Sequence, residues 1–320
     1  MAKGSALEQL QALEKNEPHY NPEIPLKQSS SYGENKTTGL PQVTAIDTWE
    51  SSAERYLPQP VADDSISSEM SKLKSMVNNH VVSYYRASEI DLDAIDETTL
   101  AGLMEVSQLS VSQMTSAIVN PQTRTPALRC LIASAIFPRI GLKSKPSSSF
   151  LPPEVAGCLE SMTGMQDNEH GQFSLEHQPR DEADKKTART ALLSKWRTIT
   201  ASMLEQTYGS RTITEIDPRS NNISQALEEL DSVLMRLRAR RDENANRRQN
   251  LEEILKRAAG FAFLLFSHPS SWKFEWQTGL SHEPGYAVIF PALLQVTDEK
   301  GERLSRPRPF EEVETARLIT

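Results

Sequence analysis

Apolar residues recur at helical spacing along most of this chain, and the longest such run lies in its last third. From Ile223, alternate steps of four and three residues reach Leu227, Leu230, Leu234 and Leu237. The same steps pass through Arg241, Asn244 and Arg248, then return to Leu251, Leu255, Ala258, Ala262 and Leu265. The apolar face is in phase on both sides of a polar waist. A continuous helix preserves that phase, because each heptad returns a side chain to nearly the same face. No Gly or Pro interrupts 236–250; Asn221, Asn222 or Ser224 can cap the start, and His268-Pro269 stops the far end. The pattern predicts one rod over 222–267, about 45 residues and about 68 Å long. A helical hairpin turning near Asp242–Asn246 is the alternative.

Upstream, Ile66, Met70, Leu73, Val77 and Tyr84 predict a helix from Ile66 to about Arg86, with His80 on its apolar face as a packed or hydrogen-bonded core residue. Leu100, Leu103, Met104, Val111, Met114 and Ile118 predict a second over 98–120, ended by Pro121. Ala127 to Phe137, opened by Thr125-Pro126, is apolar on nearly every side except Arg129 and predicts the most buried helix. Pro153 begins a shorter helix with Val155, Leu159 and Met162. A long one from about Ala183 to Gly209 carries Leu192, Trp196, Ile199 and Met203 as its apolar stripe.

Past Pro269 the period falls to two. Trp272, Phe274 and Trp276 alternate with Lys273 and Glu275 as in a half-buried strand. Tyr286–Phe290 and Ala292–Val296 are β-rich and divided by Pro291, Asp298–Gly301 reads as a turn, and Arg306-Pro307-Arg308-Pro309 as an extended tail. So few strands must lie against helices. At the other end, Ala6–Glu14 reads as a short helix. From Asn16 to about Asp64, six prolines between Pro18 and Pro60 stand among polar residues, with too little apolar surface to offset the entropy of ordering. That stretch reads as a linker; the alternative is a docking arm that uses Tyr20, Tyr32, Trp49 and Tyr56. The fold class expected is mainly α: a helical bundle built on one long C-terminal helix, followed by a small β-hairpin-like element and preceded by a disordered N-terminal arm. The divisions fall at 1–65, 66–268 and 269–320.

Composition narrows the chemistry. The 320 residues carry a net charge of −8, which argues against a general nucleic-acid binder. There are only 13 glycines, and no GxSxG, GxGxxG or phosphate-loop motif occurs. Cys130 and Cys158 form no CxxC pair and read as reduced thiols, and His170 and His177 are too far apart in a polar stretch to suggest a metal site. No catalytic residue, cofactor or metal is therefore expected. The start Met1-Ala2-Lys3-Gly4 lacks a secretory core, and Ala258–Phe266 is about half a membrane span, so the expected location is cytoplasmic or nuclear with no membrane span.

The waist holds Arg236, Arg238, Arg240, Arg241, Arg247 and Arg248, but acidic residues nearly balance it over 227–260. A solvated face laced with pairs such as Glu243–Arg247 is the plain reading; an acidic protein partner is the sharper one, and DNA would need several unopposed cations. The candidate partner-binding residues are Arg240, Arg241, Arg247 and Arg248, with Trp272, Phe274 and Trp276, whose rings read more simply as core. The function expected is a non-enzymatic intracellular interaction or regulatory protein with a protein partner. The alternative is an enzyme or small-ligand binder with a pocket near His268, Trp272, Trp276, His282 and Tyr286. There the helix dipole would raise the pKa of His268, unless that ring merely caps the helix.

Two end blocks carry a resemblance. One is LQALE from Leu10, PHYNPEIP from Pro18, Thr38-Gly39-Leu40-Pro41 and Asp47-Thr48-Trp49-Glu50; the other is Phe274-Glu275-Trp276 and VIFPALLQV from Val288. Together they resemble a family of uncharacterised proteins of filamentous fungi. The resemblance implies a fungal, non-secreted protein and no particular activity, cofactor or site residue.

Overall fold

A computed structural model describes residues 57–85, 96–168, 179–209, 212–237, 244–277 and 285–318, with the backbone alone for 163–168 and 179–186. All of them belong to one compact unit, Ser52–Thr320. The expectations placed on Ala6–Glu14, Tyr20, Tyr32, Trp49, Tyr56, His170, His177, Arg238, Arg240, Arg241, Glu243 and His282 lie outside the described residues.

Helix α1 (Asp63–Tyr84) buries Ile66, Met70, Leu73, Val77, His80 and Val81, the face its spacing predicts, and opens on Asp63 and Asp64, which suit the positive end of its dipole. The single helix expected over 98–120 is two. Helix α2 (Glu97–Leu103) starts at Asp96, whose carboxylate accepts from Thr98 N at 3.0 Å. Helix α3 (Val111–Val119) starts at a capping box, with Ser110 and Gln113 each bonding the other's backbone. That box satisfies the orphan donors of a new first turn, which is why the chain restarts there.

Helix α4 (Arg124–Ile140) is buried on almost all sides and packs against α1, α2 and α3. Next come α5 (Pro153–Asn168) and α6 (Pro179–Tyr208). Helix α7 (Ser220–Leu234) ends in a 3-10 turn, Met235–Leu237, and α8 runs Asn244–Ser267. Both α7 and α8 also pack on α4.

The structure does not show the rod expected over 222–267. Helices α7 and α8 lie side by side, and Asp231 meets both Arg247 and Arg248. In one straight helix those side chains would be about 24 Å apart along the axis. Helix α8 therefore runs back along α7, as the hairpin alternative expects. Phase survives the reversal because both helices bury their leucines in the same core, so matching phase did not require continuity.

The β region is larger than the hairpin expected. Strands β1 (Trp272–Glu275), β3 (Ala292–Thr297) and β4 (Arg303–Glu311) form one antiparallel sheet in the order β1-β3-β4; β2 (Tyr286–Phe290) pairs with β5 (Glu314–Arg317) in a second. Pro291 stands where the chain leaves one sheet for the other, as a residue without a ladder donor should. The Arg306–Pro309 stretch, expected as a tail, is strand: Leu294 pairs with Pro309 and Gln295 with Arg308. Strand β2 packs on α4, Ser67 of α1 donates to Phe310 O at 3.2 Å, and Glu314 of β5 bonds Arg129 of α4 at 2.7 Å. The strands rest on helices, as their number requires.

Gly301 closes the Asp298–Gly301 turn with φ +82°, and an added Cβ would lie 2.8 Å from Ala191 Cα on α6. Gly301→Ala is expected to lower the unfolding free energy by about 1–3 kcal/mol. Gly157, inside α5 with nothing among the described residues within 4 Å of an added Cβ, is the contrast. Gly157→Ala should stabilise by about 0.5–1 kcal/mol. Urea unfolding of the two variants checks both signs.

Candidate functional site

The corner where α7 meets α8 gathers Arg247 and Arg248 of the arginine waist; Arg236 and the Arg248–Glu228 pair keep solvent exposure, but Arg247 does not lie on a solvated face. Arg247 is 1 % exposed. Its Nη1 donates to Tyr85 Oη at 2.9 Å, its Nη2 to Asn244 Oδ1 at 2.8 Å and to Asp231 Oδ1, and its Nε to Asn244 Oδ1 at 3.2 Å. Arg248 reaches Asp231 Oδ2 at 2.9 Å and pairs with Glu228. These two candidate partner-binding residues are engaged within the chain. Burial alone disfavours the Arg247 charge, but Tyr85 and Asp231 outweigh it and hold its pKa above the ordinary value.

The chain of bonds continues into α1. Tyr85 Oη lies 3.3 Å from His80 Nε2, and His80 Nδ1 lies 2.8 Å from Asn250 Oδ1 on α8. One proton arrangement satisfies every member: His80 neutral with its proton on Nδ1 given to Asn250, Tyr85 donating to Nε2, and the Tyr85 oxygen accepting from Arg247. A second proton on His80 would leave the Tyr85 hydroxyl hydrogen without that acceptor. Burial, with the nearby Arg247 charge assisting and Asn250 opposing, lowers the His80 pKa to about 4. Burial likewise raises the Tyr85 phenol to about 12, against the pull of Arg247. His80 is thus a hydrogen-bonded core residue.

The aromatic candidates are packed inward. Phe274 and Trp276 lie 4.7 and 6.2 Å from the ring of Phe137 on α4. Trp272 meets Phe310 edge-on at 4.7 Å and His268 at 5.3 Å. The rings of Trp272, Phe274 and Trp276 serve chiefly to seat β1 on the bundle and on β4.

His268 does not carry a raised pKa. Its Nδ1 accepts from Ser270 N at 3.1 Å, and burial lowers its pKa to about 4, with the Arg197 charge assisting and Asp63 opposing. This is the capping alternative in kind: the ring satisfies a backbone donor just past the helix end. Tyr286, also assigned to the expected pocket, stands exposed on the other sheet.

Sequence reasoning missed a set of buried arginines. Arg124 donates to Ile118 O at 2.7 Å and Val119 O at 2.8 Å, capping the end of α3. Arg197 is fully buried on α6 and donates Nη2 to Pro269 O at 2.7 Å and Ser270 O at 3.2 Å; burial lowers its pKa to about 10. Arg219 forks onto Asp217 at 3.0 and 2.8 Å ahead of α7. One signal was legible for Arg247. It continues the buried register of Leu251, Ile254 and Ala258, and Asp231 sits in that of Leu227 and Leu234, so two opposite charges occupy apolar positions of neighbouring helices.

Helix α6 is turned the other way round from its pattern. Its buried positions are Ser194, Arg197, Ala201 and Tyr208, whereas Leu192, Ile199 and Met203 are 67 %, 40 % and 79 % exposed. Only Trp196 of the expected stripe is half-buried, edge-on to Phe266 at 5.7 Å.

Among the described residues no cluster of His, Cys, Asp or Glu could hold a metal, and no helix is long and apolar enough to cross a membrane. Cys130 and Cys158 are both free, and burial raises the Cys130 thiol to about 11. Comparison with family models, curated proteins and solved structures returns no match.

Two outcomes follow from the buried network. Asp231→Ala leaves Arg247 buried without its carboxylate and is expected to cost about 3–5 kcal/mol, much of it recovered by Asp231→Leu with Arg247→Met; a double-mutant cycle in urea measures the coupling. The folded pKa of His80 and of His268 is about 4 against 6.5 for the ordinary group, so the unfolded chain binds protons first on acidification. Stability is therefore full above about pH 6.5 and falls by about 2 kcal/mol per histidine on reaching about pH 5. His80→Gln should remove its share of that slope.

Proposed function

We propose that this protein is a non-enzymatic interaction protein that binds a partner's amphipathic helix along the outer face of α6. The observation that supports the reading is the inverted helix: Leu192, Ile199 and Met203 form one apolar stripe at four- and seven-residue spacing, and all three are exposed. Such a stripe fits the mode in which an apolar helix face is read through residues one and two turns apart. The arginines expected to hold a partner are less suited to it, because Arg247 and Arg248 already serve Asp231 and Glu228. The two free cysteines suit a reducing compartment, and we assign the partner to the cytosol or nucleus.

The test uses the full chain with a photo-crosslinking residue at position 192 or 203, and at Glu105, an exposed position on the α2–α3 connection, as control. Expected are adducts to one polypeptide from 192 and 203, none from 105, and loss of the 203 adduct on adding Leu192→Asp. Because these side chains are exposed, Leu192→Asp and Met203→Asp should each change stability by no more than about 0.5 kcal/mol. Adducts that do not distinguish the stripe from position 105, or a loss of stability of core size, would overturn the reading.

A further inference from the structure

A second feature, independent of the α6 stripe, is a cleft of about 230 Å³ between the end of α6, the approach to α7 and the middle of α8. Its walls are apolar and cationic, with one carboxylate, Glu253, among the lining side chains. Met76, Tyr208 and Ile213 supply an apolar side, and Arg219, Lys256 and Arg257 a cationic one. Gly260 lies at the cleft, inside a helix, with nothing among the described residues within 4 Å of where a Cβ would stand. Glycine in a helix interior is unfavourable, so an open glycine at a cleft leaves room that a side chain would take.

The cations differ in how firmly they are held. Arg219 is fixed: it forks onto Asp217 and lies 5.0 Å over the Tyr208 ring, and its Nη1 has no hydrogen-bond partner among the described residues. Lys256 and Arg257 are 24 % and 34 % exposed and meet carboxylates that are themselves partly exposed: Glu252 at 2.8 Å and Glu253 at 3.2 Å for the lysine, Glu69 at 2.6 Å for the arginine. Exposed pairs of this kind contribute little net energy, so a ligand's oxyanion can take a carboxylate's place with small loss. The volume is below that of a drug-sized pocket and suits a molecule of metabolite size.

We propose that this cleft binds a small organic oxyanion, a carboxylate or phosphate monoester, whose charged group meets Lys256 and Arg257 and whose apolar body lies against Met76, Tyr208 and Ile213. The full chain, labelled with 13C at its methionine methyl groups, is titrated with phenyl phosphate, with benzoate, and with benzyl alcohol as the uncharged control. The Met76 methyl is expected to shift saturably at millimolar concentration with at least one oxyanion and not with benzyl alcohol; the tighter of the two identifies the preferred group. Gly260→Leu should abolish the shift by filling the cleft, and Gly260→Ala, which adds only a methyl to an open helix position, should slightly raise the melting temperature. Lys256→Met, a surface change that keeps the fold, should weaken binding at least tenfold, which keeps the proposal testable should Gly260→Leu not fold. No saturable Met76 shift with either oxyanion, an equal shift with benzyl alcohol, or binding unchanged in Lys256→Met would overturn it. Failure here leaves the α6 crosslinks untouched, and the reverse holds too.

Discussion

Arg247 holds a full charge where water barely reaches, and the corner of the molecule around it is arranged to make that tolerable. Burying an ion costs several kcal/mol, and the cost is offset only when its donors are met with good geometry. Asp231 comes from α7, Tyr85 from the end of α1, and Asn244 from the first turn of α8 itself. No single element supplies the set. The ion is satisfied only when α7 has folded back on α8 and both have met α1, so a chain that did not reverse would leave it buried without partners. His80 and Asn250 extend the same constraint along α1 and α8, where a neutral imidazole is the form that fits.

What was legible in the sequence was the face that α1, α7 and α8 bury; what was not was how the helices connect, or which way α6 turns. Leu227, Leu230 and Leu234 are buried, as are Leu251, Leu255 and Ala258. Periodicity reports which side of a helix meets apolar surroundings and carries no information on whether two such helices are one. The interruption over 98–120 escaped for a related reason: Ser110 and Gln113 are ordinary helix residues unless their side chains turn back to the backbone. The strand pattern at Trp272–Glu275 was plain because period two has few competitors there, whereas β4 was obscured by Pro307 and Pro309, which weaken strand propensity yet are tolerated at a sheet edge.

Helix α6 shows where pattern and packing part company. A helix normally turns its most apolar side to the core, but the inner side of α6 has another task. The turn after α8 leaves Pro269 O and Ser270 O in a buried place, and Ser194 and Arg197 are the residues that satisfy them, with Ser194 Oγ 2.6 Å from Pro269 O. Buried carbonyls without donors are costly. Directing Ser194 and Arg197 inward rotates Leu192, Ile199 and Met203 outward, since they lie on the opposite side of the same helix. The polar demand of one turn thereby fixes the apolar character of one surface.

The buried arginines share this logic. Arg124 meets the last carbonyls of α3, Arg197 those of the α8–β1 turn, Arg219 a carboxylate at the start of α7, and Arg247 the reversal between α7 and α8. Each reaches a helix end or a turn, and for Arg124 and Arg197 the acceptors there are backbone carbonyls without intrahelical partners. A guanidinium offers several donors in a rigid plane and can serve two or three acceptors at once, which a lysine ammonium on a flexible stem does with less fixed geometry. Arginine at these corners therefore does more than add charge: it bonds elements that meet there. On α6 the outward stripe follows from the inward direction of Arg197 and Ser194.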